Sequence, residues 1–348
     1  MQSIKSNALE PTRSEFASLS RGQQIIRLLP VYGLPILTLL LIIFFSLLLP
    51  QTFPTYLNFR SILADKAIIA LLSLAATIPM MAGRIDLTVG FGIVMWHILA
   101  IGLQVKFGVP WPIAILVVLL CASFVGLING ILVEIAQIDS FIATLGTGTM
   151  LYAFALWFTD GRQIIGPLAP AFIALNTTAI AGIPIPAVYV AVLAIVLWIV
   201  SERLPLGRHV YAIGANEKAA ALNGIPVRAY VIGVFITSGL IAGLAGCVLA
   251  AKLRIGQANV GLDYLLPALV GAFLGSTTIK PGRVNIWGTM FGVLILAVGI
   301  SGIQQLGGAF FVEPLFNGTT LVVSIALAAF AQRRRAIARP SRVAENSS

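Results

Sequence analysis

Long uninterrupted apolar stretches constrain this chain more than any other feature of its sequence. A helix needs about 20 mostly apolar residues to cross the hydrocarbon core of a bilayer. Only 10% of the residues are charged, against about 25% in soluble domains. The sequence therefore predicts an all-α polytopic membrane protein with about ten transmembrane helices, near 31–49, 62–82, 90–105, 112–134, 142–158, 186–202, 229–251, 263–279, 284–306 and 315–331.

An even number of spans places both termini on one side of the membrane, and the basic residues indicate which side. Cytoplasmic segments of membrane proteins carry an excess of Lys and Arg. With both termini cytoplasmic, 16 of the 22 Lys and Arg residues fall inside and 6 fall outside. Topology then explains the net charge of +10, and we expect no nucleic-acid partner. The chain is predicted to cross a membrane several times with both termini in the cytoplasm.

The predicted organisation has three parts. Residues 1–30 form a cytoplasmic N-terminal tail, residues 31–331 form the transmembrane domain, and residues 332–348 form a basic cytoplasmic C-terminal tail. The N-terminal residues lack the apolar core and cleavage site of a secretory signal, so we interpret 31–49 as an uncleaved first helix. The longest predicted cytoplasmic loop is 203–228.

Two segments of the chain resemble each other. "GRIDLTVGFGIV" at 83–94 is echoed by "GRVNIWGTMFGVL" at 282–294, and each follows an apolar span that begins near an aspartate, Asp65 or Asp263. In the predicted topology both pairs of spans run in the same direction, so the two halves would be parallel repeats, as in some transporters. Chance similarity within a restricted amino-acid alphabet is the alternative.

A short polar stretch, "GANEKAAALNGIPVRAY" at 214–230, carries complete start and stop signals for a helix. Asn216 suits the N-cap, and Glu217 suits the positive end of the helix dipole. Gly224 suits the left-handed position after the C-cap, and Pro226 prevents continuation. The sequence predicts a helix of about two turns, which is too short to be stable alone. It must pack against its own bundle, the lipid headgroups or another protein, and a connector on the membrane surface is the alternative to docking on a partner.

The stretch at 214–230 is part of a set of four motifs by which the chain resembles a known family, the permease subunits of ABC importers of the ribose/xylose/arabinose type. The resemblance covers about residues 30–330. Two residues depart from the family pattern: Arg84 replaces a residue that is more often small, and Ser140 replaces a proline. The matching motifs, in the order and spacing of the family, are "GRIDLTVG" (83–90), "FIATLGT" (141–147), "LGRHVYAIGANEKAAALNGIPV" (206–227) and "GSTTIKPGRVNIWGTMFG" (275–292).

The resemblance implies a role for the short helix. In such importers a cytoplasmic helix of the permease sits in a cleft of the ATP-hydrolysing subunit and is moved by it. The residues that inherit this role are Arg208, Asn216, Glu217, Ala220 and Gly224. The implied partners are cytoplasmic ATP-binding subunits, a periplasmic substrate-binding protein, and a second permease copy or homologue. Outside loops 159–185 and 252–262 are the expected docking surface for the binding protein.

Several polar side chains fall within apolar segments and are candidates for the translocation pathway. They are Asp86, Thr88, Asn129, Thr144 and Thr147. A charged residue at membrane depth is costly and is usually functional. One interpretation makes 83–90 a helix break embedded in the membrane beside the pathway. The other makes it an ordinary cytoplasmic turn, with Asp86 capping the next helix.

Patterns for catalysis are missing from the sequence. It has no Walker-type glycine-rich loop, so ATP hydrolysis is expected on a separate subunit, and we predict no cofactor and no metal. The predicted function is translocation of a monosaccharide or related small polyol. The alternatives are a permease for branched-chain amino acids or nucleosides, and an ion-driven secondary transporter that uses Asp86 as its proton or sodium site.

Overall fold

The computed structural model describes residues 21–308 and 311–337, which form helices and a single short hairpin. The helices are α1 (Arg21–Leu48), α2 (Tyr56–Met81), α3 (Thr88–Val105), α4 (Trp111–Glu134), α5 (Ser140–Thr159), α6 (Pro170–Thr177), α7 (Ile185–Arg203), α8 (Pro205–Ala215), α9 (Glu217–Leu222), α10 (Val227–Leu253), α11 (Leu265–Leu274), α12 (Ile286–Gln305) and α13 (Val312–Ile337). A 3₁₀ turn at Leu262–Tyr264 precedes α11, and strands β1 (Ala179–Ile180) and β2 (Ile183–Pro184) pair antiparallel.

Seven of the described helices are long and apolar enough to cross a membrane: α2, α3, α4, α5, α7, α10 and α12. The predicted all-α membrane class is therefore confirmed, but the count of about ten spans is not. The predicted span at 263–279 contains only a ten-residue helix, α11. Most of both predicted terminal tails lies outside the described residues.

Helix α10 occupies the centre of the bundle, where it packs against α2, α3 and α4. Glycines permit the closest of these approaches. A side chain at Gly126 would run into the backbone of Phe235, and one at Gly239 would run into the backbone of Ala122. Small residues let membrane helices approach closely where lipid offers no hydrophobic drive. Helices α4, α5 and α7 are mostly unburied, as expected of helices that face lipid or another subunit.

Two non-helical breaks interrupt the bundle, at 82–87 between α2 and α3 and at 275–285 between α11 and α12. Both contain a glycine at positive φ, Gly83 at 73° and Gly282 at 82°. These glycines are the first residues of the two echoed motifs. The similarity in sequence therefore coincides with a similarity in backbone, while the parallel-repeat interpretation stays a prediction.

The segments that connect the helices lie at the two ends of the bundle. The breaks at 82–87 and 275–285 contact the predicted cytoplasmic loop 203–228, through Arg84 and Arg283. At the opposite end, Tyr56 donates a hydrogen bond to the Gly182 carbonyl, and Ile164 pairs with Gly256. The segments predicted to share a side of the membrane therefore meet at the same end.

Candidate functional site

The short helix predicted between Asn216 and Gly224 is present as α9. The Asn216 side chain accepts a hydrogen bond from the Ala219 N–H at 3.0 Å, as an N-cap should. Gly224 has a φ of 79°, and the Gly224 and Ile225 N–H groups donate to the Ala221 and Ala220 carbonyls. These two bonds form a Schellman motif. Both ends of α9 are therefore fixed by their own sequence.

The two faces of α9 differ. Ala220 is buried against the rest of the bundle, whereas the Leu222 side chain is 89% exposed. Glu217 and Lys218 are also exposed. The inner face of α9 therefore packs on its own bundle through Ala220, and the outer face is open to solvent.

Helix α8 anchors α9 to the bundle. The His209 Nδ1 lies 2.6 Å from the Tyr230 hydroxyl on α10, and Val210 and Ile213 are buried. A side chain at Gly214 would run into the Met81 carbonyl at the end of α2, so only glycine allows this approach. Arg208 is exposed on the outer face of α8.

Arg84 links the first break to α9. Its Nη2 lies 2.8 Å from the Glu134 carboxylate at the end of α4 and 2.8 Å from the Glu217 carboxylate on α9. Glu134 is only 2% exposed, so Arg84 neutralises a buried charge. Burial lowers the pKa of Arg84, but the hydrogen bonds to the two carboxylates outweigh burial and raise it. A polar cavity of about 290 Å³ adjoins this cluster, lined by Gly83, Arg84, Gln137, Asp139 and Glu217.

Four of the five candidate pathway residues, Asp86, Thr88, Asn129 and Thr147, form one connected hydrogen-bond network. Asp86 accepts from the Thr88 N–H and hydroxyl and, at 2.7 Å, from the Ser238 hydroxyl on α10. Asn129 donates to the Thr88 hydroxyl at 3.2 Å and accepts from the Thr147 hydroxyl at 2.7 Å. Asp86 is 1% exposed. Thr88 and Asn129 are also buried, whereas Thr147 at the end of the network is partly exposed.

Thr144 supports the backbone of the break. Its hydroxyl accepts from the Leu87 N–H at 3.0 Å and donates to the Ser140 carbonyl at 2.7 Å. The Ser140 hydroxyl accepts from the Ile85 N–H at 3.1 Å. Buried backbone groups outside helices need such partners. Arg84 and Ser140, the two departures from the family pattern, thus both serve the break at 82–87.

Comparison with known proteins identifies the family of the chain. Residues 58–331 match the family described as "Branched-chain amino acid transport system / permease component". The chain belongs to this permease family. It is 33% identical over 294 residues to the ribose import permease protein RbsC of Bacillus subtilis (strain 168), covering 84% of this chain and 91% of the relative.

Other relatives of the permease are similar at comparable coverage. The D-allose transport system permease protein AlsC of Escherichia coli (strain K12) is 28% identical, over 85% of this chain and 90% of the relative. The autoinducer 2 import system permease protein LsrD of Enterobacter sp. (strain 638) is 29% identical, over 82% and 90%. No solved structure matches the chain. With its apolar spans, the permease is an integral protein of the cytoplasmic (inner) membrane.

The two loops of the permease that are predicted to lie outside, 159–185 and 252–262, lie against each other. Ile164 and Gly256 exchange backbone hydrogen bonds of 2.8 and 3.0 Å, and the Gln163 side chain donates to that of Gln257 at 2.7 Å. The Gln257 N–H points at His97 Nε2, 3.4 Å away. The two predicted docking loops therefore form a single surface.

Sequence reasoning missed three residues of the permease site. Ser238 and Glu134 lie far along the chain from their partners Asp86 and Arg84, so no local pattern marks them. Leu222 could have been found, because it is the one bulky apolar residue in the alanine-rich helix. Within the described residues, no group of three His, Cys, Asp or Glu side chains could hold a metal.

Proposed function

We propose that this permease is the membrane-spanning subunit of an ATP-driven ABC importer for a monosaccharide or related small polyol. The observation that carries the proposal is α9, a surface helix whose two ends are fixed by Asn216 and Gly224 and whose outer face exposes Leu222. A rigid helix with an exposed apolar contact suits force transfer from a separate protein. ATP is hydrolysed on that partner, since the chain has no phosphate-binding loop.

The relatives support a sugar as the substrate. Three of these relatives are named as permeases for ribose, D-allose and autoinducer 2. The family description mentions branched-chain amino acids, which would be the substrates of a related permease. The relative that imports ribose covers most of this chain, and for that reason we favour a monosaccharide.

The partners follow from the two ends of the bundle. Cytoplasmic ATP-binding subunits would receive α9, with Arg208, Asn216 and Glu217 at the contact. A periplasmic substrate-binding protein would dock on the joined loops 159–185 and 252–262. A second permease copy or homologue would cover unburied faces of the bundle. These assignments place the 203–228 loop in the cytoplasm, in agreement with the positive-inside rule.

The break at 82–87 would lie beside the translocation pathway. In the conformation described, Asp86, Thr88, Asn129 and Thr147 satisfy one another and Thr144 holds the backbone. Transport would require this network to open and exchange its internal hydrogen bonds for bonds to sugar hydroxyls. Carboxylate, amide and hydroxyl groups can all make such bonds.

The proposal is tested with proteoliposomes that contain the permease and its co-encoded ATP-binding subunits, with the binding protein outside. Uptake of radiolabelled ribose, allose and xylose is measured with internal ATP, without ATP, and with ionophores that collapse proton and sodium gradients. We expect uptake of at least one sugar to require ATP and to survive the ionophores. Uptake driven by a gradient, or by the permease without its partners, would contradict the proposal.

A further inference from the structure

The segment formed by α8 and α9 contacts both helix breaks. At the first break, Arg84 binds Glu217, the first residue of α9, and Gly214 packs on the backbone of Met81. At the second break, the Arg283 guanidinium lies 3.3 Å from the centroid of the Tyr211 ring on α8. Lys280 also binds Glu202, which directly precedes the 203–228 loop. One short segment is therefore tied to both halves of the chain.

The two arginines hold the same place in the echoed motifs. Arg84 follows the positive-φ Gly83, and Arg283 follows the positive-φ Gly282. Their partners differ in chemistry, because Arg84 binds carboxylates and Arg283 lies on an aromatic face. The first is a charge-assisted pair, and the second is a cation–π contact of an exposed arginine. The shared feature is therefore the position of the arginine and the segment that it reaches.

Each arginine also stands two residues before a side chain that accepts a backbone N–H in the first turn of the next helix. Asp86 accepts from the Thr88 N–H at 2.9 Å at the start of α3. Asn285 accepts from the Gly288 N–H at 2.8 Å at the start of α12. A displacement of α8 and α9 that pulls on an arginine would thus act within two residues of a helix N-terminus inside the bundle.

We propose that Arg84 and Arg283 are paired positioning residues that transmit movement of α8 and α9 to both helix breaks. The inference rests on the proposed function, because it assumes that a partner moves α9. It adds the route by which that movement reaches the pathway. Neither arginine needs to touch the substrate or the ATP-binding subunit.

The test uses the reconstituted complex described above and measures the amount of sugar transported per ATP hydrolysed. Arg283→Gln removes the contact with Tyr211. Arg84→Gln leaves the buried Glu134 unpaired and threatens folding, so Arg84→Gln is combined with Glu134→Gln, which replaces the buried ion pair with two neutral amides. We expect each variant to assemble with the ATP-binding subunits and to transport about tenfold less sugar per ATP, within the range typical of coupling between sites.

Matched controls separate transmission from simple damage. Tyr211→Ala should reproduce Arg283→Gln, whereas Tyr211→Phe, which keeps the ring under the guanidinium, should retain the wild-type ratio. Arg60→Gln removes an exposed arginine of α2 that lies outside both breaks and outside α8 and α9, and this variant should also retain the wild-type ratio. When both arginine contacts are removed, the fold-reduction in sugar transported per ATP should be smaller than the product of the two separate fold-reductions. Residues that act through one coupled element do not have additive effects.

The outcomes distinguish this inference from the proposed function. If wild-type complex shows no ATP-dependent uptake, the proposed function fails. If wild-type complex transports and both arginine variants keep its sugar-to-ATP ratio, the inference alone is wrong. Loss of the ATP-binding subunits from the purified variants would also overturn it, because the arginines would then form part of the docking surface.

Discussion

The helix breaks at 82–87 and 275–285 share a positive-φ glycine followed by an arginine, but they are held by different chemistry. In each, the side chain two positions after the arginine accepts a backbone N–H from the first turn of the next helix. In the first break that side chain is the carboxylate of Asp86, which also accepts from hydroxyl groups. In the second it is the amide of Asn285, whose Nδ2 donates to the Gly275 and Thr278 carbonyls.

We expect the two breaks to have different roles because of this difference. An amide can satisfy N–H and C=O groups at once, so Asn285 closes its own loop and stabilises it. A carboxylate only accepts, and burying it is costly unless donors surround it. The first break therefore depends on hydroxyl groups from α3 and α10, and it is the one whose bonds a sugar could replace. We expect the second break to be structural and the first to be functional.

Replacing Asn285 with aspartate gives the second break the cap of the first and should have the largest effect. The aspartate would lose the amide donor and place a negative charge beside the Gly275 and Thr278 carbonyls. Unsatisfied buried groups cost about 1–3 kcal/mol each, so we expect destabilisation of about 3 kcal/mol or more. Thermal unfolding of the detergent-purified protein measures it, and Asn285→Ser, which can still cap, is the control. An unchanged unfolding temperature for Asn285→Asp would contradict the structural role.

The reciprocal change, Asp86→Asn, should spare stability and reduce transport. The amide oxygen can still accept from the Thr88 N–H, and the Ser238 hydroxyl can turn to accept from the new amide group. Removal of the charge should lower ATP-dependent uptake about fivefold to tenfold, in the range of typical coupling energies. Uptake and unfolding temperature are measured on the same preparation. Full uptake would support the alternative in which 83–90 is only a turn with a capping aspartate.

The sequence predicted local features well and distant contacts poorly. Asn216 and Gly224 define α9 because caps act over three or four residues, and the helix begins and ends where they indicate. The 263–279 stretch has enough apolar residues for a span, yet α11 stops at Leu274, where Gly275 packs against Thr289. Hydropathy counts composition alone and cannot anticipate such packing.

The same limit explains why the role of Arg84 was not evident from the sequence. Its partners Glu134 and Glu217 lie 50 and 133 residues away along the chain, so only the folded bundle brings the three together. Asp86 and Ser238 are 152 residues apart. From the sequence, each of four residues was predicted separately as a pathway residue because it is polar and falls within an apolar segment. These residues are Asp86, Thr88, Asn129 and Thr147. The sequence could not show that a single network joins them.

Thr147→Val, a change in α5 that touches the network beside the first break, should have the smallest effect of the three changes. Valine matches the shape of threonine but cannot donate to the Asn129 Oδ1, which would lose its 2.7 Å hydrogen bond. Loss of one buried bond costs about 1 kcal/mol, so uptake should fall only about twofold to fivefold with little change in assembly. Thr149→Val is the matched control, because the exposed Thr149 hydroxyl bonds only to the Gly146 carbonyl of its own helix. If both valine variants behave alike, Thr147 has no part in the network, and the contrast between the two breaks rests on Asp86 and its hydroxyl donors alone.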